Sequence, residues 1–454
     1  MDIKSNIFSP EVLKEKGVMK GFEYLQPERK EVVRGMEDVF RRVTESFGFR
    51  EIEGPLLQPI EFYQVKSGDE LLAHTYTFED ADGSVLVLRP ELTPTVAYMI
   101  AKDDGRLNFP LKWWSNPDIF RKEKPQKGRK RQFKQLNVDI FDRGDSSREH
   151  VFDDAEVIAV GISIFESFGL DESDIVMKIS SRSLLEKVFD AMNLDANQRY
   201  ELLALIDKSE KITEEDFGAQ LNNIIPLKES QSIIQSWLML ENLDALANDG
   251  LLGYLCETDE YKDLQKVFDL MEAYELLNYC KFAPNIVRGL GYYTGTVFEA
   301  FDRKTEYGFR RALMGGGRYD NLTKDMGGSI NVTGVGFGFG NVPLEEILKA
   351  RDLEITSSKA RVDYYVITQS SGMQLDIIRI AKALRNQGKN VVLDKSIAKI
   401  NPDNITKQLA RSNQIYPDYS ILIFPDEWAE GKVVVKNMRS GEQQTVNVDS
   451  ILSS

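Results

Sequence analysis

The sequence is poor in the residues on which much enzyme chemistry depends. It holds two cysteines, Cys256 and Cys280, in no Cys-x-x-Cys pairing, and two histidines, His74 and His150. So few argue against a disulfide scaffold and a Cys-ligated zinc site, and leave little room for a His-ligated metal or a histidine-based triad. Any chemistry must therefore run on arginines, carboxylates, tyrosines and backbone. No apolar run reaches the roughly 18 residues that a membrane-spanning helix requires, so no membrane partner is expected. The first residues, Met1-Asp-Ile-Lys-Ser-Asn6, lack the basic-then-apolar order of a secretory signal. Together with the unpaired cysteines this points to the cytoplasm. Internal repeats and low-complexity stretches are also missing.

What remains is an ordinary globular composition, 42% hydrophobic and 10% aromatic over 454 residues, enough chain for about two to four domains. The net charge of -15 counts against a general nucleic-acid binder. Phosphates are contacted locally, however, so clusters matter more than totals. One such cluster, Arg121 to Lys134, carries eight basic residues against one acidic.

Periodicity divides the chain. Val32, Val33, Met36, Val39, Phe40 and Val43 recur at helical spacing and predict an amphipathic helix over 27–47, stopped by Gly48. Strands are expected at Phe49–Leu57, at Tyr76–Asp80 and Val85–Arg89 about an Asp82-Gly83 turn, at Lys112–Ser115 and at Phe133–Phe141, with a short helix from Thr93 to Lys102. From 183 to 280 the pattern turns helical. Strands return at Gly295–Phe301 and Gly334–Gly340, and after Ser358 strands and helices alternate as in a small doubly wound domain. The expected class is α+β: an antiparallel sheet with flanking helices (1–182 and 281–357), a helical insertion (183–280) and a C-terminal α/β domain (358–454).

Four segments carry candidate chemistry. Arg121, Glu123, Arg129 and Phe133, on a basic loop between two strands, offer a phosphate grip, an acceptor for an adenine amine and an aromatic face, although a solvated basic hairpin has the same composition. In Leu88-Arg-Pro-Glu-Leu-Thr-Pro94, Glu91 and Thr93 can receive an α-ammonium group or merely cap a helix. In Val287-Arg-Gly-Leu-Gly-Tyr-Tyr-Thr-Gly295 an arginine among glycines can approach an anion closely, or the segment is a strand-edge turn. Gly315-Gly-Gly-Arg-Tyr-Asp320 is a turn or a site, and lacks the Lys-Ser/Thr of a Walker loop.

In this order the four segments resemble the histidyl-tRNA synthetase family of class II, over nearly the whole chain from about Lys20. Phe120 to Gln135 resembles that family's motif 2, and Phe49 to Pro55 its motif 1, which implies a homodimer. Arg288-Gly-Leu-Gly-Tyr-Tyr-Thr-Gly and Gly315-Gly-Gly-Arg-Tyr-Asp resemble its two histidine signatures, and the C-terminal stretch a class IIa anticodon-binding domain. The resemblance implies activation of L-histidine by ATP, with Mg2+ accompanying the nucleotide, and transfer to the 3′ end of tRNA(His). Glu91, Thr93 and Gln135 would hold the amino end of histidine; Asp139, Tyr292, Tyr293 and Tyr319 would line its imidazole pocket. Arg121 and Arg288 would be the catalytic residues, both near the α-phosphate and the histidine carboxylate; Glu123, Arg129 and Phe133 would complete the ATP site, and no protein ligand to a metal is assigned. Two positions depart from the pattern: Gly291 replaces an Asp, and Pro343 stands where motif 3 carries the γ-phosphate arginine. A subgroup sharing Tyr-Tyr-Thr-Gly and Gly-Phe-Gly-Phe-Gly has the same departures, and Arg129, Arg310 and Arg311 are the replacement candidates. The competing expectations are a non-catalytic regulatory subunit of ATP phosphoribosyltransferase, which resembles the core alone, and a prolyl- or threonyl-type ligase, against which the two signatures argue.

Overall fold

The computed structural model describes residues 17, 19–64, 69–144, 147–287, 291–304, 310–355, 362–368, 370–394 and 405–452. The chain divides into two compact units, Met1–Ser357 and Ser358–Ser454.

In the first unit, helix α1 (Pro27–Ser46) begins on a proline, whose missing N–H is no loss in a first turn. It buries Val33, Met36, Phe40 and Val43. The expected strand at 49–57 is two strands in different sheets. β1 is Arg50–Glu51 and β2 is Leu57–Pro59, separated by Gly54-Pro55, where proline has no N–H for a ladder. β3 (Tyr76–Glu79) and β4 (Val85–Leu88) join β2 in a small sheet ordered β2-β4-β3. Helix α2 (Thr93–Asp103) follows.

The main sheet is built from β1, β5 (Leu111–Ser115), β6 (Asp118–Phe120), β7 (Gln132–Arg143), β8 (Ile175–Ser181), β9 (Cys280–Phe282), β10 (Thr296–Asp302), β11 (Met314–Arg318) and β12 (Val332–Gly340). Among the described residues its order is β1-β5-β7-β12-β11-β10-β8-β9, with β6 hydrogen-bonded to β7 beside this path. The central ladders are antiparallel, while β1–β5 and β8–β9 are parallel. β8 has no counterpart in the periodicity reading, which assigned nothing to Ile175–Ser181.

Alternation gives each strand two faces. Leu136, Val138 and Ile140 of β7, Val335, Phe337 and Phe339 of β12, and Phe298 and Ala300 of β10 share one core with α1 and with α3 (Ser147–Ser167). Phe339 packs 4.8 Å from Phe165 and 5.9 Å from Phe40, centroid to centroid. Each such fully buried ring contributes about 1.5–3 kcal/mol. The other face is left for the site.

The helical stretch between β8 and β9 runs through α4 (Arg182–Ala191), α5 (Ala196–Asp207), α6 (Glu214–Ile224), α7 (Lys228–Met239) and α8 (Asp259–Ala273). Its starts are marked locally: Ser181, Thr213 and Thr258 cap α4, α6 and α8, and Asp195 with Gln198 forms a capping box on α5. It does not have a core of its own, since Leu202, Ile206, Trp237 and Leu264 belong to the cluster under the main sheet. Helix α9 (Asn341–Ala350) closes the unit directly after β12.

The second unit has a sheet ordered β14-β13-β15-β16-β17, with β13 at Tyr364–Thr368, β14 at Val391–Leu393, β15 at Tyr419–Ile423, β16 at Lys432–Asn437 and β17 at Gln443–Asn447. The first three strands are parallel and the last two antiparallel. Ile377, Ile380 and Leu384 of the helix Gln374–Asn386 fill its core with Val366, Ile421 and Val433.

Candidate active site

The glycines of β12 prepare the site. Gly334, Gly336, Gly338 and Gly340 alternate with core residues, so one face of this strand carries no side chains. A Cβ on Gly336 would stand 2.1 Å from Asp139 Oδ1 and 2.7 Å from Tyr319 Oη, and one on Gly338 would stand 2.1 Å from Gln135 Nε2. The bare strand is the floor across which those side chains lie. On neighbouring β7, Phe133, Gln135 and Asp139 occupy the same face by period two.

The inner part of the site is closed and polar. Tyr319 Oη donates to Asp139 Oδ1, and both residues are buried. Burial pushes the Asp139 carboxyl up to about 7, against the bond from Tyr319. The same burial, reinforced by Asp139, raises the Tyr319 hydroxyl well above its ordinary value. The ring of Tyr319 lies 5.8 Å from Tyr292 and 6.4 Å from Tyr293, which are 4.9 Å from each other. Tyr292 Oη donates to Glu91 Oε2 at 3.3 Å, and Tyr63 Oη donates to the Glu91 carbonyl at 3.2 Å. Glu91 stands just before α2, where the helix end favours an anion, and Thr93 is the first residue of that helix.

Arg121 separates this cluster from the outer cavity. Its Nε donates to the Pro90 carbonyl at 2.9 Å, and its guanidinium lies 5.6 Å from the ring centre of Phe133. Burial lowers its pKa, while Glu91 and then Glu123 act in the opposite sense. It stays a cation at neutral pH. Gln135 Oε1 is buried with no hydrogen-bond partner among the described residues.

Beyond Arg121 opens a cavity of about 1230 Å3 whose walls include Glu123, Arg129, Phe133, Arg310, Arg311 and Pro343. Glu123 and Arg129 form an ion pair. Arg311 has its pKa lowered by burial and by Arg129, with Glu123 opposing. With Arg121 and Arg310, four guanidiniums thus line the same space.

The structure brings Glu91, Asp139, Tyr292, Tyr293 and Tyr319 together at the inner end, and Arg121, Glu123, Arg129, Phe133 and Gln135 in the wall of the outer cavity. Arg288 lies outside the described residues. The sequence reading missed Tyr63, which has no motif around it, and the far wall of the cavity. That wall is Lys178 of β8, Glu299 of β10, Asp207 at the end of α5, and Glu210 and Lys211 in the turn that follows it. Lys178 Nζ donates to Glu210 Oε1 at 3.1 Å. The helical stretch thereby reaches the site itself.

The Asp139 shift has a consequence for stability. Unfolded, this carboxyl releases its proton near pH 4 (about 3.9 for an ordinary Asp); folded, it keeps it to about 7. The folded form therefore binds more protons between these limits, and its stability falls as pH rises from about 4 to about 7, by up to ~1.4 kcal/mol per pH unit. Asp139→Asn should remove that slope in denaturation melts of the ligand-free protein. A fall over the narrower window up to about pH 6, from Asp153, which burial raises to about 6, should persist. Identical pH profiles for parent and variant would refute the burial argument.

Comparison with known proteins gives the family. The family model described as Histidyl-tRNA synthetase matches residues 21–342, and that described as Anticodon binding domain matches residues 363–454. The histidine–tRNA ligase of Thermoplasma volcanium is 31% identical over 436 residues, 96% of this chain and 97% of the relative. That of Halobacterium salinarum is 33% identical over 434 residues, 95% of each. The crystal structure of histidyl-tRNA synthetase from Nostoc sp. PCC 7120 superposes with a TM-score of 0.74 at 26% identity, covering 96% of this chain and 98% of that one. A Bacillus halodurans structure titled as an ATP phosphoribosyltransferase regulatory subunit/histidyl-tRNA synthetase shares the fold at 21% identity and a TM-score of 0.64. With the matched family spanning the main sheet, its insertion and the site, the chain belongs to the histidyl-tRNA synthetase family.

Proposed function

We propose that this chain activates L-histidine with ATP to histidyl-adenylate and transfers the histidyl group to the 3′ end of tRNA(His). The observation that carries the reading is Arg121, a half-buried cation on the wall of an open cavity beside a closed polar cluster, with Glu91 and Glu123 acting on it.

Glu91, Thr93 and Gln135 take the α-ammonium group. Gln135 Oε1, a buried acceptor lacking a partner among the described residues, calls for a donor of this kind. Asp139, Tyr292, Tyr293 and Tyr319 surround the imidazole. An apolar amino acid would leave their polar atoms unpaired, which rejects it far more strongly than shape does. Glu123 accepts from the adenine amine and Phe133 stacks on the base. A carboxylate oxygen of histidine attacks the α-phosphorus, the new oxygen–phosphorus bond forms, and the bond to pyrophosphate breaks. Two anions meet in this step, so fixed positive charge from Arg121 and Arg288 lowers the barrier more than a proton donor would. The ribose hydroxyl of tRNA then attacks the carbonyl carbon and AMP leaves.

Magnesium enters with ATP. In the cavity wall Glu299 offers a carboxylate, the ligand type a hard cation takes. Glu299 would hold it beside the phosphates, where it would supply neutralising charge. For the γ-phosphate, Arg311 beside Arg129 takes the place left by Pro343. Arg311→Ala should raise the KM for ATP by about tenfold and leave the KM for histidine unchanged. If alanine at Arg129, Arg310 and Arg311 in turn alters neither the ATP KM nor the exchange rate, the assignment fails.

The working form is a homodimer in the cytoplasm. Leu57 and Phe78, 47% and 48% exposed, share one face of the small sheet with Leu86 and Leu88, an apolar patch of the kind that associates. Leu57→Glu should shift the mass in light scattering from dimer to monomer; a parent protein that is already monomeric would end this assignment. The direct test of the function is amino-acid-dependent ATP–pyrophosphate exchange. Exchange with histidine alone is expected. Its absence with every amino acid, from folded protein, would favour the non-catalytic regulator, against which the match to an anticodon-binding domain speaks.

A further inference from the structure

Arg318 belongs to the Gly315-Gly-Gly-Arg-Tyr-Asp run, yet it is not part of the cavity wall. One residue before Tyr319 on an extended strand, it reaches the opposite face of the sheet, where α3 lies. There Nη2 donates to Asp154 Oδ1 and to the His150 carbonyl, each at 2.6 Å, and Nη1 donates to Asp320 Oδ1 at 3.1 Å. Asp154 Oδ2 accepts from Thr296 Oγ1 at 2.6 Å, and Asp320 Oδ2 accepts from Thr294 Oγ1 at 3.0 Å. The Arg318 and Asp154 side chains keep 7% and 4% of their exposure.

A buried ion pair is weak evidence for stability, because desolvation offsets most of the attraction; what it provides is geometry. Here the network ties together the segments that carry two tyrosines of the inner cluster. Tyr319 directly follows Arg318. Thr294 directly follows Tyr293, and its N–H donates to the Arg318 carbonyl at 2.8 Å. The approach is close enough that a Cβ on Gly295 would stand 3.1 Å from Arg318 Cδ, and one on Gly317 would stand 2.9 Å from Tyr293 Cδ1. Neither Arg318 nor Asp154 touches the inner cluster through its own charged group.

We infer that Arg318 is a positioning residue for recognition of the amino-acid side chain, holding Tyr293 and Tyr319 at their 6.4 Å separation beside Asp139 through Asp154, Asp320 and Thr294. The inference rests on the assignment of that pocket to the imidazole of histidine. Two variants separate it from a merely structural role. Arg318→Lys keeps the charge and loses the planar fork. Thr294→Val keeps the buried pair and loses the links to Asp320.

Calorimetric titration with L-histidine and, separately, with ATP reads both variants, alongside thermal melts. The histidine Kd should rise about tenfold in Arg318→Lys and about threefold in Thr294→Val, with the ATP Kd within about twofold of the parent and the melting temperature of Thr294→Val unchanged. Unaltered histidine affinity in both variants overturns the inference. So does a parallel loss of histidine affinity, ATP affinity and melting temperature, which makes Arg318 a support of the fold alone. If the parent protein itself binds no histidine, the pocket assignment falls and the inference falls with it.

Discussion

Arg121→Ala should lower histidine-dependent ATP–pyrophosphate exchange by on the order of a hundredfold to a thousandfold, the range seen when one preorganised charge-stabilising group is removed from an acyl- or phosphoryl-transfer site. The argument is electrostatic. Arg121 is half-buried, with Glu91 and Glu123 acting on it, and the reaction brings a carboxylate and a triphosphate to the same place. Without the guanidinium, four anionic groups converge with less fixed charge to offset them, in a setting where water cannot screen them fully. Arg121→Lys should recover only part of the loss, because an ammonium cannot donate along two parallel lines as a guanidinium can. Exchange kinetics at saturating ATP and histidine separate the effect on the chemical step from weaker binding. Exchange within tenfold of the parent would remove Arg121 from the chemistry.

Gly336→Ala should abolish histidine-dependent exchange and destabilise the protein by about 1–3 kcal/mol, the usual cost of overpacking. The added methyl would meet Asp139 Oδ1 at 2.1 Å, the Val138 carbonyl at 2.6 Å and Tyr319 Oη at 2.7 Å. The carbonyl belongs to the β7–β12 ladder and cannot swing aside, so the strain falls on the pair that faces the imidazole. Gly338→Ala should behave differently. Its nearest obstacle is the Gln135 side-chain amide at 2.1 Å, a group that can rotate, so histidine affinity should fall while the melt stays near that of the parent. Gly218→Ala serves as the control: it lies in α6 with nothing within 4 Å of the added Cβ, and should melt at or above the parent, by up to about 1 kcal/mol in stability. A Gly336→Ala protein with normal histidine kinetics would mean that the bare strand is not the floor of the pocket.

Several features were readable from local pattern, because their physical causes are local. The helix at Pro27–Ser46 follows from a proline start, an apolar stripe and a glycine stop. The run Gly334-Val-Gly-Phe-Gly-Phe-Gly announces a strand with one packed and one empty face, since alternation depends only on the two-residue repeat of extended backbone. The same repeat places Phe133, Gln135 and Asp139 together. The break at Gly54-Pro55 was harder to read, because the residues on either side suit a strand and only their partners differ: β1 pairs with β5, β2 with β4. β8 was overlooked for a related reason, as its apolar residues lie beside a long helical stretch that dominates the periodicity.

The sequence by itself determined which chemistry was open to this protein. Two histidines and two cysteines turn it toward arginine, carboxylate and tyrosine, and the order of its glycine- and arginine-bearing segments carries the family resemblance. Only the tertiary structure decided what meets what. Tyr292 reaches Glu91 across 201 residues of chain. Tyr63 supports the same glutamate, Arg318 points away from the cavity into α3, and Lys178 and the end of α5 close the far wall. The neighbours on the main sheet arise from the strand order β7-β12-β11-β10-β8. That order is a property of the whole sheet, fixed by which strands bury their apolar faces together, and no window of the sequence contains it.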